Sequence, residues 1–206
     1  LIIFIQTKEF YKKMAKSRKT DILKAAQKRF IRHGMNKTTL EEIARDLRIG
    51  KATIYHYFDS KDQLFIETVK METSTYLNEI KNCFNNENLS VKERFQEYFF
   101  VKLKLGETYP LLFEVMKQTI NEFSTELMVE LHLSFLEKEE EILSLFLQSI
   151  KKEKHDFIDN QFTKVLVAET SGFLLLSAFL KSQNKVETAF IEKAKDEFLR
   201  KFSLAG

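Results

Sequence analysis

Apolar residues recur along this chain at three- and four-residue intervals, the spacing that turns one side of an α-helix toward a core. Ile22, Ala26 and Phe30 fall at i, i+4 and i+8 and predict a helix over 17–33, which Gly34 then stops. Thr39-Leu-Glu-Glu42 has the S/T-x-x-E form of a capping box, and Leu40, Ile43, Ala44 and Leu47 behind it predict a short helix over 40–47. After the turn Arg48-Ile49-Gly50, residues 51–58 predict a second short helix that buries Ile54 and Phe58 and leaves Lys51, Ala52, Thr53, Tyr55 and His56 outward.

Two further capping boxes, at Ser60–Gln63 and Ser90–Glu93, open helices running to about Phe84 and up to Gly106. Pro110 suits the first turn of a helix through Ile120. A long helix over 124–152 is predicted to bury Leu127, Leu131, Phe135, Leu143, Phe146, Leu147 and Ile150, with Glu137 to Glu141 as its solvated side. The helix over 160–182 is apolar nearly all round in its second half, which predicts burial on two sides. The last, over 187–202, is amphipathic through Ile191, Ala194, Phe198 and Phe202.

Composition agrees with an all-α fold of about nine helices. Five glycines and one proline in 206 residues are too few for the tight turns of an all-β protein. The most apolar run, Val165 to Leu180, contains Glu169 and falls short of the roughly 20 residues of a membrane span, so no membrane association is expected. Leu1 to Ile5 lacks the basic leader and cleavage site of a secretory signal, and with Met14 as the first methionine, residues 1–16 are set aside as an N-terminal extension. The single cysteine, Cys83, rules out an intrachain disulfide, suits a reducing cytoplasm, and reads as a small buried apolar residue. His33, His56, His132 and His155 have no metal-ligand spacing, so neither metal nor cofactor is expected; His132 reads as a satisfied interior histidine and His33 as a helix-end residue.

Charge is unevenly placed. Residues 1–61 carry 15 Lys and Arg against 6 Asp and Glu, while the remainder carries 18 against 24. A basic head on a mildly acidic body suits a polyanion partner. Two short helices joined by a three-residue turn, the second with small and basic residues on its outer side, meet the physical requirements of a helix-turn-helix DNA reader. Ala52 and Thr53 let the backbone approach base edges, while Lys51, Tyr55, His56 and Lys61 reach phosphates to either side. Taken singly, Lys51 and Lys61 are also ordinary solvated lysines; only their place in the motif assigns them. Tyr57 and Phe58 read as core.

Thr38-Thr39-Leu-Glu-Glu-Ile-Ala44, Ile49-Gly-Lys-Ala-Thr-Ile-Tyr-His-Tyr-Phe58 and Ser60-Lys61-Asp-Gln-Leu64 together resemble the TetR/AcrR family of bacterial transcriptional regulators. The resemblance covers about 17–77; beyond it the chain is similar only in helix number and length. It implies a three-helix DNA-binding domain over 17–77, with its reader motif at 39–58, and a ligand-binding and dimerisation domain over 78–206. It also implies that Thr39 caps the first short helix and touches a phosphate, that Lys51, Ala52 and Thr53 face bases or nearby backbone, and that Tyr55, His56 and Lys61 grip phosphates. Members often carry Ser at Gly50 and Gly at Ala52 and Arg48, which puts the turn geometry here in question.

The partners so implied are a pseudo-palindromic double-stranded DNA operator, a twin chain docked through the last two helices, and a small-molecule inducer. The aromatic set Phe95, Tyr98, Phe99, Phe113, Phe123 and Phe135 suits an apolar inducer, although a Phe stripe is more often core, and no ligand-binding residue is assigned. The expected mechanism has the inducer move the 60–84 helix and so change the spacing of the two readers. The same fold also suits a DNA-binding adaptor or nucleoid-associated factor controlled by a protein partner. No phosphate loop, nucleophile elbow or carboxylate pair marks an enzyme.

Overall fold

The computed structural model describes residues 2–119, 125–150, 160–182 and 188–203, with side chains described from Ser17 onward. These residues form ten helices and no strand: α1 (Ile2–Lys37), α2 (Leu40–Asp46), α3 (Lys51–Tyr55), α4 (Lys61–Asn85), α5 (Val91–Leu103), α6 (Leu105–Thr108), α7 (Pro110–Gln118), α8 (Glu126–Ile150), α9 (Asn160–Ser182) and α10 (Thr188–Ser203). The chain divides into an N-terminal unit, Leu1–Glu72, and a C-terminal unit, Thr73–Gly206, with the division falling inside α4.

In the N-terminal unit the predicted stripe Ile22, Ala26 and Phe30 is buried, together with Leu40, Ile43, Ala44, Ile54, Phe58, Leu64 and Phe65. Each large side chain here stabilises the unit by about 1.5–3 kcal/mol through area removed from water. Phe30 meets Phe65 edge to face with centroids 5.3 Å apart. The helical backbone of α1 begins at Ile2 rather than near Ser17, so residues 2–16 of the segment set aside as an extension are helical. It breaks where expected: Gly34 has φ 75° and ψ 164°, a region open essentially to glycine alone. The Thr38 hydroxyl donates to the Gly34 carbonyl at 2.8 Å across this break.

In the C-terminal unit α5 packs against α6, α9 and α10, and α8 against α7 and α9. Phe84, Phe95, Tyr98, Phe99, Phe135, Phe146 and Phe198 are among its buried residues. The long helix corrects one expectation: Glu139, placed on the solvated side, is fully buried, whereas Glu137 and Glu141 are exposed. Glu139 lies seven residues after His132 and four after Phe135, so it continues the inward face, where partners on other helices meet both of its oxygens. Its Oε1 accepts from the Tyr76 hydroxyl at 3.0 Å and the Tyr98 hydroxyl at 2.9 Å, and its Oε2 accepts from Lys102 Nζ at 2.8 Å. Lys102 donates again to Ser171 Oγ at 3.0 Å. Desolvation pushes the Lys102 ammonium below its ordinary range, and burial beside Glu139 drives both tyrosine hydroxyls well above theirs.

Other differences are smaller. Gly106 does not end a helix but sits inside α6, where a Cβ would lie 3.1 Å from the Phe113 ring. Met128 is buried in α8, while the predicted Leu127 and Leu131 are half-buried. Helix α9 is buried on one side, through Leu166, Val167, Thr170, Ser171 and Leu174, and leaves Val165, Leu176 and Phe179 exposed. At 23 residues it is long and apolar enough, by length and composition, to cross a membrane, contrary to expectation. Its buried side, however, carries Thr163, Thr170, Ser171 and Ser177 against α5 and α8, as in a core helix. Cys83 is half-buried, and desolvation pushes its thiol up to about 11. Phe123 and His155 lie outside the described residues, as does the side chain of Phe202.

Candidate nucleic-acid interface

The reader motif is set by two helix ends. At the start of α2, Thr39 is extended (φ −114°, ψ 153°); its Oγ1 accepts from the Glu42 N–H at 3.3 Å, and Glu42 Oε2 accepts from the Thr39 N–H at 2.9 Å. The capping box read from the sequence is therefore complete, and it holds the Glu42 carboxyl below the usual carboxylate range. At the end of α2 the Ile49 N–H reaches the Ala44 carbonyl at 3.0 Å and the Arg48 N–H the Arg45 carbonyl at 3.1 Å, which is a Schellman closure. This closure requires a left-handed residue, and Arg48 supplies it with φ 54°. The turn keeps its shape without glycine at a cost of about 1–2 kcal/mol.

Gly50 precedes α3 in an extended conformation with no side chain to cap it. The reader helix itself is shorter than predicted. It spans Lys51–Tyr55, is capped at His56, and passes through a turn to Phe58, whose N–H still bonds the Ile54 carbonyl at 3.0 Å. Phe58 must enter the core while Ser60 caps α4, its Oγ accepting the Gln63 N–H at 3.0 Å, so too few residues remain to extend α3. The reciprocal bond of this second box shifts by one residue, with Gln63 Oε1 accepting from the Asp59 N–H instead.

The orientation of α3 follows the predicted division. Ile54 and Phe58 are buried; Lys51, Ala52, Tyr55 and His56 are exposed; Thr53 is half-buried. Three predicted contact residues already have partners. Lys51 pairs with the Glu41 carboxylate and lies over the Tyr55 ring at 5.4 Å. Lys61 Nζ donates to the Met35 carbonyl at 3.0 Å, tying the start of α4 to the chain beyond the Gly34 break and leaving two N–H groups for a phosphate. The Thr39 hydroxyl proton is directed to Glu42 Oε2 at 3.0 Å.

Sequence reasoning passed over two features here. One is the fork of Arg29 on Asp46, Nε to Oδ2 at 2.6 Å and Nη2 to Oδ1 at 2.7 Å, which joins α1 to α2 and holds the Asp46 carboxyl below its usual range. The other is Glu41. Neither pair lies at a within-helix spacing, so no periodicity announces it.

Comparison with known proteins agrees with this geometry. Residues 22–68 match the family model described as bacterial regulatory proteins, tetR family. The chain is 27% identical over 172 residues to the biofilm operon icaADBC HTH-type negative transcriptional regulator IcaR of Staphylococcus aureus, covering 82% of this chain and 86% of that one. It is 28% identical over 170 residues to the HTH-type transcriptional regulator YhgD of Bacillus subtilis, covering 81% and 83%. The crystal structure of a transcriptional regulator from Cytophaga hutchinsonii superposes with a TM-score of 0.67 at 26% identity, over 87% of this chain and 95% of that one. A capped α2, a tight turn and an outward α3 thus coincide with the matched segment, and residues 22–68 carry the DNA-binding helix-turn-helix of the TetR family of bacterial regulatory proteins, which the rest of the chain resembles in its relatives and in fold.

Proposed function

We propose that the chain is an operator-binding repressor that acts as a homodimer and is released from DNA by a small, apolar ligand. One observation carries the DNA-binding part: a five-residue helix held by buried Ile54 and Phe58 presents Lys51, Ala52, Tyr55 and His56 to solvent. In this reading Ala52 and Thr53 approach base edges, and Thr39, Lys51, Tyr55, His56 and Lys61 contact the backbone. Repression is the sense carried in the name of the Staphylococcus aureus relative, a negative transcriptional regulator.

A single reader spans too few base pairs for tight specific binding, which calls for a second reader one turn of DNA away. Val165, Leu176 and Phe179 on α9, with Phe190 on α10, form an exposed apolar set suited to bury against a twin. The ligand would enter the C-terminal unit, where Phe99, Thr170, Phe173 and Phe198 border a cavity of about 260 Å³. Of the aromatics nominated from sequence, Phe95, Tyr98, Phe99 and Phe135 are core and Phe113 packs against it, while Phe123 lies outside the described residues. Helix α4 belongs to both units and is the element through which occupancy would reach the reader.

The test is selection of bound duplexes from a random pool, followed by salt titration of Lys51→Ala, Tyr55→Ala and Lys61→Ala on the selected site. Loss of one phosphate contact lowers the slope of log K against log salt by about one. Slopes unchanged in all three variants would exclude this face of α3 from the interface.

A further inference from the structure

The first residue of the reader helix is a lysine, yet its ammonium is engaged by the protein. Glu41, the second residue of α2, pairs with it, and the Tyr55 ring lies 5.4 Å beneath it. Both members of the pair are about half exposed, at 45% and 52%, so a phosphate can reach the site and compete. The capping box at the start of α2 is completed by Glu42, which also faces Arg29 at 3.5 Å, while Glu41, also in the first turn, has the added partner Lys51 across the turn. A carboxylate on the edge of a DNA-reading motif opposes phosphate approach, and this one lies against the reader's own cation. Each charge reinforces the other: Glu41 holds the Lys51 ammonium above its usual range, and Lys51 holds the Glu41 carboxyl below its own.

We propose that Glu41 is a specificity-determining residue that keeps Lys51 latched on loosely bound, non-operator DNA and yields it to a phosphate only when base contacts seat α3 fully. This inference rests on the reading of α3 as the DNA-contacting helix. The physical reason lies in the two binding modes. Non-operator binding depends almost wholly on the count of neutralised phosphates, so withholding one lysine weakens it directly. Operator binding adds base contacts that offset the exchange of one exposed ion pair, which is a weak interaction. The latch therefore widens the gap between the two modes.

The experiment measures fluorescence anisotropy of a selected operator duplex and a scrambled duplex of equal length and composition, across salt, for the wild type, Glu41→Gln, Lys51→Ala and the double variant. Glu41→Gln should tighten binding to the scrambled duplex about three- to tenfold and steepen its salt slope by about one, while the operator slope stays unchanged and the specificity ratio falls. In the Lys51→Ala background the same substitution should have little effect. An unchanged scrambled-duplex slope in Glu41→Gln overturns the latch. So does an equal gain in the Lys51→Ala background, since Glu41 would then act on DNA by its own charge. If Lys51→Ala leaves operator affinity and slope intact, Lys51 is never yielded to a phosphate and the latch is overturned; if Tyr55→Ala and Lys61→Ala also leave the slope unchanged, the reading of α3 itself fails, a result distinct from the others. Circular dichroism and the thermal midpoint of each variant check that the fold is retained.

Discussion

Lys102 Nζ lies 2.8 Å from Glu139 Oε2 inside the C-terminal unit, and neither side chain reaches solvent. Two ions so placed lose their hydration and are kept by geometry: Tyr76, Tyr98 and Ser171 complete the bonding, and the ammonium lies 5.8 Å from the centre of the Phe135 ring. Removing either member alone strands the other. Lys102→Met and Glu139→Leu should each destabilise the protein by about 3–5 kcal/mol. The double variant should recover much of that loss, less the cost of the Tyr76 hydroxyl left without its acceptor, since Tyr98 keeps Thr170 Oγ1 at 3.2 Å. Chemical denaturation of the three proteins measures the coupling, and additive losses would mean that the pair does not act as a unit.

His132 is the partly buried titratable group near this pair, and burial and the charge of Lys102 hold its imidazole below the ordinary range, against the opposing effect of Glu139. The Thr119 hydroxyl donates to the Met116 carbonyl at 2.8 Å, so its oxygen accepts the Nδ1–H of His132 at 2.6 Å. That leaves Nε2 a buried acceptor with no donor among the described residues, contrary to the expectation of a satisfied histidine. The folded chain thus resists a proton that the unfolded chain takes up as pH falls through about 6.5. Stability should therefore decline from about pH 7 downward until the folded imidazole itself titrates. His132→Asn, which keeps a donor toward Thr119 and does not titrate, should flatten that decline in urea midpoints measured between pH 7.5 and 5.5. An equal decline in both proteins would remove His132 as its source.

Backbone conformation gives a third expectation. Gly34 has no neighbour within 4 Å of an added Cβ, so any penalty of Gly34→Ala comes from its φ of 75° and ψ of 164° alone, about 1–3 kcal/mol. Arg48 has the opposite problem, a side chain at φ 54°. Arg48→Gly should stabilise the N-terminal unit by about 0.5–1 kcal/mol, the relief of left-handed strain less the added freedom of glycine when unfolded. Thermal denaturation ranks the variants, and a destabilised Arg48→Gly would show that the arginine side chain contributes more than its backbone costs.

The exposed side of α9 supplies the fourth. Leu176 and Phe179 are 47% and 61% exposed, and a charge placed there meets only solvent in a single chain. Leu176→Glu and Phe179→Glu should leave helix content unchanged, shift the mass measured by light scattering from dimer to monomer, and weaken operator binding. A dimer that persists at low micromolar concentration would place the interface elsewhere.

Much of this protein was legible because its signals are local. The Thr39 and Ser90 capping boxes, Pro110 at the start of α7, the span of α9 and the stripe Ile22, Ala26, Phe30 each depend on residues within one or two helical turns. So did the outward set on α3, since Ile54 and Phe58 leave little choice about which side faces inward. Where neighbours along the chain disagreed with partners across it, the reading failed. Glu139 looked solvated within an acidic run and is buried because Tyr76, Tyr98 and Lys102 arrive from α4 and α5. Residues 56–58 looked helical and are a turn because Phe58 must enter the core just before α4 begins.

The amino-acid sequence by itself determined the helical class, most helix boundaries and the identity of the reader motif, because capping, turn chemistry and periodicity act between residues a few positions apart. Only the tertiary structure decided which charges are spent: Lys51 on Glu41, Lys61 on the Met35 carbonyl, Arg29 on Asp46 and Lys102 on Glu139. Such pairings span from 10 to 37 positions, and an ion pair selects its partner by distance in space, which no spacing along the chain records.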